Sequence, residues 1–278
     1  MGRALVLGGG GITGIAWELG MLAGLQESGT DLTGADTVVG TSAGSIVGAQ
    51  LTSGTPLEEL YTRQLRPPED ESAARLRPGV LARWAWAVMR ERDPDRARAR
   101  VGRMAHANAR SSLVERRRVI ASRLTSTEWP DADLRVTAVD ARTGRRTVFR
   151  SGGAAGLLDA VTASCAVPGV WPPAIIGERP YVDGGVHSPS NIDLAEGFER
   201  VVVLAPVART GGMFTDPRTE LAALPDATAT ALVTPDPGAL AAMGSNNLDP
   251  AHRPAAARAG RTQAAAEAAR IAEVWGGD

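Results

Sequence analysis

Residues 36–53 read DTVVGTSAGSIVGAQLTS, and this stretch decides the fold class. Its apolar start at 36–39 predicts a short strand, and the small residues that follow turn the chain into a helix over about 43–53. Gly54 and Pro56 end that helix. A strand that passes through a tight turn straight into a helix is typical of a parallel α/β sheet.

The regions on both sides of this stretch repeat the alternation. Residues 3–7 predict a first strand, and the apolar residues of 14–28 recur at helical spacing. Strand patterns return at 134–141 and 201–206, and the Ala-rich tail 254–275 has a strong helix propensity. We therefore expect an α/β protein with a mainly parallel central sheet.

The middle of the chain differs in composition. Residues 57–125 predict several Arg-rich helices, and residues 75–118 carry 13 Arg against four acids in a chain of net charge −1. A length of 278 residues favours one large domain. We expect a single domain over 1–278 with a helical Arg-rich cap or insertion at about 57–125.

One amphipathic stretch of this cap has two interpretations. It is either an ordinary cap helix with Trp84 buried, which we favour, or a basic surface that rests on an anionic bilayer. Its apolar residues are Val80, Leu81, Trp84 and Val88.

The cysteine content and the lengths of the apolar runs indicate the cellular location of the protein. The single cysteine, Cys165, excludes an intramolecular disulfide framework and a thiolate-cluster metal site. It is best explained as a small buried residue, because no histidine flanks it. No run approaches the roughly 20 uninterrupted apolar residues of a membrane span. We expect a reducing, cytoplasmic location, with any lipid contact made peripherally at the membrane.

The turn at 40–44 reads Gly-Thr-Ser-Ala-Gly and fits the pattern G-x-S-x-G. A serine at such a strand-to-helix turn is exposed, and its neighbours two positions away must be small because strand and helix crowd there. Gly40 and Gly44 meet that requirement. Ser42 is therefore a candidate nucleophile, and the alternative is a plain βα turn rich in small residues.

A glycine loop, Gly8 to Gly11, follows the first predicted strand. Loops after adjacent parallel strands open at the same edge of a sheet, so this loop and Ser42 should be neighbours. Its amides could then form an oxyanion hole. Gly9, Gly11 and Gly14 also match a dinucleotide fingerprint, but that motif requires an acid at the end of the second strand. Asp31 precedes that strand, so we reject the dinucleotide interpretation.

A serine nucleophile requires a base, and Asp183 is the first candidate. It ends the predicted strand PYVDGGV, where Gly184 and Gly185 allow close approach of the backbone. Burial would raise the pKa of this carboxyl from its ordinary value near 3.9 and make it usable as a base. A turn-forming aspartate before two glycines is the structural alternative. Asp140 is a second candidate for the base, but we assign it to an ordinary hairpin turn.

Three ordered motifs make the chain resemble the patatin-like phospholipase family. They are the loop GGGITG at 9–14, the serine turn at 40–44 and Asp-Gly-Gly at 183–185, and the segment ASCAVP at 163–168 also resembles a family segment. The resemblance covers most of the chain outside the Arg-rich middle. It implies a three-layer α/β/α fold and a lipid acyl hydrolase with a Ser-Asp dyad.

The resemblance also implies residue roles. Ser42 would be the nucleophile and Asp183 its base, and the oxyanion hole would comprise Gly9, Gly10 and Gly11, with the last two as the leading donors. The substrate would be a phospholipid, a neutral lipid or a small ester. No metal, organic cofactor or nucleic acid is implied. The motif glycines are Gly14, Gly40, Gly44, Gly184 and Gly185.

The sequence departs from the family at Thr13, where the family usually has Arg or Lys. We expect this position to lie beside the site, so the fixed positive charge would be lost. Two alternatives stay open. One is a conventional Ser-His-Asp esterase that uses His187 or His252. The other is a weakly active regulatory or lipid-binding protein on the same fold.

Overall fold

The computed structural model describes residues 2–67, 74–75, 78–105, 112–207 and 215–276. One sheet of eight strands forms its centre. The strands are β1 (Arg3–Leu7), β2 (Thr37–Thr41), β3 (Asp133–Asp140), β4 (Arg146–Phe149), β5 (Ala174–Ile176), β6 (Arg179–Asp183), β7 (Arg200–Leu204) and β8 (Ala229–Val233). Their order is β5-β6-β3-β2-β1-β7-β8, and β4 pairs with β3.

Ten described α-helices surround the sheet. They are α1 (Gly11–Glu27), α2 (Ala43–Leu51), α3 (Leu57–Leu65), α4 (Pro78–Met89), α5 (Pro94–Met104), α6 (Leu113–Arg123), α7 (Leu157–Ser164), α8 (Pro217–Leu221), α9 (Pro237–Met243) and α10 (Arg253–Gly276). None of these described helices is both long and apolar enough to cross a membrane.

The pairing of the central strands places two loops side by side. β1 lies between β2 and β7, parallel to both, and Leu7 is opposite Gly40. β2 is also parallel to β3, whereas β6 runs antiparallel to β3. The loops after β1 and β2 therefore open at the same edge of the sheet.

The two faces of the sheet pack against different helical layers. Leu5 and Leu7 face a large core that includes residues of α1, α2, α7 and α10. Ala4 and Val6 point to the opposite face and pack with residues 192–195 and Leu224. Alternating side chains along a strand produce these two cores. The three-layer, mainly parallel α/β fold expected from the sequence is confirmed.

The described part of the Arg-rich segment is helical, and its helices lie in different places. Helix α3 packs against α1 and α10, α4 packs against α5, and α6 packs against α7. Trp84 of α4 is buried in a third cluster with Val182 and Val186, as the cap-helix interpretation expects. The side chains of Leu81 and Val88 lie outside the described residues. A single domain over 1–278 with a cap at about 57–125 stays a prediction.

The predicted elements occur with shifted ends. The helix expected over 14–28 begins at Gly11, because the glycine loop turns directly into its first turn. The strand expected over 201–206 ends at Leu204, and β5 was not anticipated, since three residues are too few to show a period. Because α1 starts early, Thr13 lies in its first turn and is buried.

Candidate active site

Ser42 occupies a strained position between β2 and α2. Its φ is 52° and its ψ is −112°, and it is one of two non-glycine residues with positive φ in the described chain. Such a conformation persists only where the surroundings enforce it. A Cβ at Gly40 would lie 2.6 Å from the Ser45 Cα, and one at Gly44 would overlap the Leu7 carbonyl. Crowding between strand and helix therefore explains both glycines of G-x-S-x-G.

Four hydrogen bonds hold the Ser42 backbone in this conformation. Its N–H donates to Ser164 Oγ at 2.9 Å. Its carbonyl accepts from the Ser45 N–H at 3.0 Å, from Ser45 Oγ at 2.7 Å and from Cys165 Sγ at 3.2 Å. Ser45 and the Ser164–Cys165 pair thus fix the turn from two sides. The sequence motifs did not reveal these supporting roles.

Asp183 lies within hydrogen-bond distance of Ser42. Ser42 Oγ donates to Asp183 Oδ2 at 2.7 Å, although the residues are 141 positions apart. The other oxygen, Oδ1, accepts from the Gly185 N–H at 2.7 Å. A Cβ at Gly184 would overlap Thr137 Oγ1, so the end of β6 approaches β3 closely. The fold thus brings together the two residues that the sequence identified as candidates for nucleophile and base.

Burial changes the acidity of Asp183. The residue is only 5% exposed. Desolvation raises its pKa from the ordinary 3.8 to about 6, against the opposing effects of Ser42, Gly185 and the positive charge of Arg116. A carboxylate with a pKa just below neutrality is ionised at pH 7 and can still bind a proton in a reaction. The geometry and the acidity both suit a general base.

The glycine loop supplies fewer donors than the sequence suggested. Gly9 donates its N–H to the Pro189 carbonyl at 2.8 Å, so the predicted oxyanion role of Gly9 is wrong in this conformation. Among the described residues, the amides of Gly10 and Gly11 have no hydrogen-bond acceptor. Gly11 has φ 64° and borders the cavity beside Ser42. Gly10 and Gly11 remain the candidate donors.

Gly14, the last glycine of the loop motif, belongs to helix α1. Its N–H donates to the Gly10 carbonyl at 3.0 Å. A Cβ at this position would lie 3.3 Å from Pro206 and 3.7 Å from the Ala43 side chain. Its small size therefore serves the packing of α1 next to the serine turn.

A cavity of about 70 Å³ lies next to Ser42, and α6 contributes two arginines to its wall. Arg116 is only 5% exposed, donates to the Cys165 carbonyl at 3.2 Å and stacks 4.1 Å from the Trp171 ring centre. Arg123 borders the same cavity. Sequence analysis missed both residues, because among 30 basic residues only tertiary packing distinguishes them.

Thr13 does not face the site. Its side chain is fully buried, and its Oγ1 has no hydrogen-bond partner among the described residues. The cause is the early start of α1, which places position 13 in the first helical turn instead of a loop. The expectation that a charge at this position would act on substrate is therefore wrong.

The described histidines have other partners than Ser42 and Asp183. His187 is surrounded by charged residues, among them Arg98, Arg146 and Asp193, and burial lowers its pKa to about 4. His252 Nδ1 lies 3.2 Å from the Ala242 carbonyl. In the described chain, no histidine hydrogen-bonds to Ser42 or Asp183. His106 lies outside the described residues.

The remaining candidates have structural roles. Asp140 Oδ1 accepts from the N–H groups of Arg142 and Thr143, as expected for a hairpin turn. Burial raises the pKa of the Cys165 thiol to about 11, so it stays protonated. The described residues contain no cluster of three or more side chains that could hold a metal ion.

Comparison with known proteins gives one family match. The sequence model of the patatin-like phospholipases matches residues 5–196. Among solved structures, VipD from Legionella pneumophila is 13% identical with a TM-score of 0.49, and the alignment covers 97% of this chain and 67% of that one. The type III effector protein ExoU is 17% identical with a TM-score of 0.40, and the alignment covers 97% and 53%. No curated protein sequence matches significantly.

Proposed function

Because the chain belongs to the patatin-like phospholipase family, we propose that it is a serine acyl hydrolase that cleaves lipid esters with a Ser42–Asp183 dyad. The observation that carries this proposal is the hydrogen bond of 2.7 Å from Ser42 Oγ to Asp183 Oδ2. It joins a nucleophile at a strained, partly exposed turn to a buried base. Neither residue requires a metal or an organic cofactor for this chemistry.

The reaction proceeds in two steps. Ser42 Oγ attacks the ester carbonyl while Asp183 takes its proton, and an acyl-serine forms. Asp183 then returns the proton to the departing alcohol. In the second step, Asp183 takes a proton from a water molecule while the water oxygen bonds to the acyl carbon, and it then returns this proton to Ser42 Oγ as the acyl–serine bond breaks and the fatty acid leaves.

The amides of Gly10 and Gly11 stabilise the oxyanion. Both have N–H groups without an acceptor among the described residues, and Gly11 borders the Ser42 cavity. A single oxyanion donor contributes roughly 2.7–4 kcal/mol in measured enzymes. These backbone amides are the proposed oxyanion donors from the glycine loop, since the side chain at position 13 is buried and does not reach the site. We further propose a cytoplasmic location, with peripheral contact when the substrate is in a membrane.

Labelling with a fluorophosphonate probe tests the proposal, because the probe reacts with activated serines. We expect the wild type to be labelled and to hydrolyse a short p-nitrophenyl ester, and Ser42→Ala to lose both properties. Ser28→Ala is the matched control, since Ser28 is exposed and follows α1 at the end opposite the glycine loop, so it should leave labelling and hydrolysis unchanged. Wild-type labelling and hydrolysis in a folded Ser42→Ala variant would refute the assignment.

A further inference from the structure

Asn191 shares an uncommon backbone conformation with Ser42. Its φ is 53° and its ψ is 43°, in the left-handed region, and Ser42 is the other described non-glycine residue with a positive φ. Asn191 is also completely buried. Conformations of this kind concentrate at functional sites, where the surrounding structure enforces them. These observations make Asn191 a candidate for a role in the site.

The chemistry of its neighbours fixes the orientation of the Asn191 side-chain amide. Nδ2 donates to the Ser188 carbonyl at 2.6 Å and to Thr41 Oγ1 at 3.0 Å. Oδ1 accepts from Arg146 Nη1 at 3.1 Å. A carbonyl oxygen only accepts and a guanidinium group only donates, so the amide cannot be turned over. The two shortest bonds of Nδ2 therefore join the turn that contains Asn191 to strand β2.

Thr41 connects this amide to the proposed nucleophile. It is the last residue of β2 and directly precedes Ser42. Its Oγ1 also accepts from Thr137 Oγ1 at 2.9 Å. Gly184, the residue after the proposed base, approaches Thr137 so closely that a Cβ there would overlap Oγ1. The Asn191 amide thus lies where the strand ends that carry the nucleophile and the base meet.

The turn that contains Asn191 also holds the glycine loop. The Asn191 backbone N–H donates to Ser188 Oγ at 2.9 Å, which closes the turn a second time. Within the turn, the Pro189 carbonyl accepts from the Gly9 N–H at 2.8 Å. Gly9 lies against the serine, since a Cβ at this position would be 3.6 Å from Ser42 Cβ. One buried residue is therefore linked to both the serine turn and the proposed oxyanion loop.

We infer that Asn191 is a positioning residue, which sets the placement of Ser42 relative to the glycine loop without touching substrate. This role depends on the proposed hydrolase function and adds a residue outside the dyad and the loop. A misplacement of reacting groups by about 1 Å can lower a rate roughly a hundredfold. Loss of the Asn191 amide should therefore lower kcat and leave substrate binding nearly unchanged.

Asn191→Asp tests the amide with almost no change of shape. It replaces the Nδ2 donor by an oxygen that faces the Ser188 carbonyl, whereas the contact with Arg146 can persist. We expect kcat for a p-nitrophenyl ester and the rate of fluorophosphonate labelling to fall roughly a hundredfold. KM should stay within about threefold of the wild-type value, because the loss falls on the chemical step. Asn191→Gly is a second variant that should lose kcat similarly, since glycine adopts positive φ without strain and has no amide.

Gln263→Glu is the matched control. Gln263 is a buried side-chain amide whose Nε2 donates to the Thr234 carbonyl at 2.8 Å and whose Oε1 accepts from Trp17 Nε1 at 3.0 Å. The substitution again places an oxygen against a backbone carbonyl, but the described hydrogen bonds of Gln263 do not reach the serine turn or the glycine loop. We expect kcat to stay close to the wild-type value. An equal fall of kcat in both variants, measured below their unfolding transitions, would overturn the inference.

A double-mutant cycle tests the connection through Thr41. Thr41→Val removes the hydroxyl that accepts from Asn191, with little change in shape. We expect Thr41→Val/Asn191→Gly to lose little more kcat than Asn191→Gly alone, because residues in one hydrogen-bond network are not additive. Fully additive losses would overturn the inference, since Asn191 would then not act through β2.

The activity of the wild type separates this role from the proposed function. Wild type that neither cleaves the ester nor takes the label would refute the proposed hydrolase. An active wild type, with folded Asn191→Asp and Asn191→Gly variants that keep its kcat, would refute the positioning role alone. Circular dichroism checks that each variant folds.

Discussion

Replacement of Asp183 by asparagine is predicted to remove activity and to stabilise the fold at neutral pH. The hydrogen bonds can survive the change, because the amide oxygen can accept from the Gly185 N–H and the amide nitrogen can donate to Ser42 Oγ. What disappears is the buried negative charge. The variant cannot take a proton from Ser42, so kcat/KM should fall by several orders of magnitude.

The pKa of Asp183 sets the size of the stability gain. The value is about 6 in the folded protein against an ordinary 3.8, so the folded state binds more protons between these two pH values. Wild-type stability therefore falls as the pH rises through this window and loses about 3 kcal/mol by pH 7.5, at about 1.4 kcal/mol per pH unit. The neutral asparagine avoids this loss. At about 2 °C per kcal/mol, Tm should rise by up to about 6 °C.

Thermal or denaturant unfolding at two pH values measures the effect. At pH 7.5, Asp183→Asn should be more stable than the wild type. At pH 4.5, where the wild-type carboxyl is mostly protonated, the difference should shrink to roughly 1 kcal/mol. Equal or lower stability of a natively folded variant at pH 7.5 would show that Asp183 is not destabilised by burial, and its role as a raised-pKa base would fail.

Three further predictions concern the base, its acidity and the buried threonine. His187→Ala and His252→Ala should each lower kcat/KM by less than about tenfold, because neither histidine takes the serine proton; a collapse in either variant with the fold preserved means that another base operates. The wild-type kcat/KM should rise with pH around an apparent pKa near 6, as Asp183 ionises, and a flat profile between pH 5 and 8 would contradict this assignment. Thr13→Val should be neutral or slightly stabilising, since it removes a buried hydroxyl without a partner among the described residues. Thr13→Arg should lower the free energy of unfolding by at least about 3 kcal/mol, because it buries an unpaired charge. An Arg variant as stable as the wild type would show that position 13 reaches solvent.

The contact between Ser42 and Asp183 could be anticipated because local crowding and the order of the strands leave patterns in the sequence. Glycines at 40 and 44 mark the sharp turn that exposes Ser42, and Asp183 stands at the end of a recognisable strand followed by two glycines. Parallel neighbours among the first strands then place the glycine loop beside the serine. These features depend on short-range sterics and on the α/β topology, and both are visible as patterns in the amino-acid sequence.

Long-range contacts explain what the sequence could not predict. The Gly9 amide is occupied by Pro189, a residue 180 positions away. Arg116 reaches the site only because α6 packs against α7, next to Cys165. The error at Thr13 has a local cause, since the predicted start of α1 was three residues late. A helix boundary is weakly encoded in a run of glycines, yet it decides whether the next side chain faces solvent or core.

The position of Arg116 helps to explain the acidity of Asp183 and the absence of a charge at position 13. Burial makes Asp183 a stronger base, and burial alone would raise its pKa further. Hydrogen bonds from Ser42 and Gly185 and the positive charge of Arg116 each lower that pKa, and the balance is about 6. Arg116 exerts this effect from α6, not from the glycine loop. The proposed oxyanion hole then uses only backbone amides of the loop, so Thr13 can pack in the core without loss of a charge at the site.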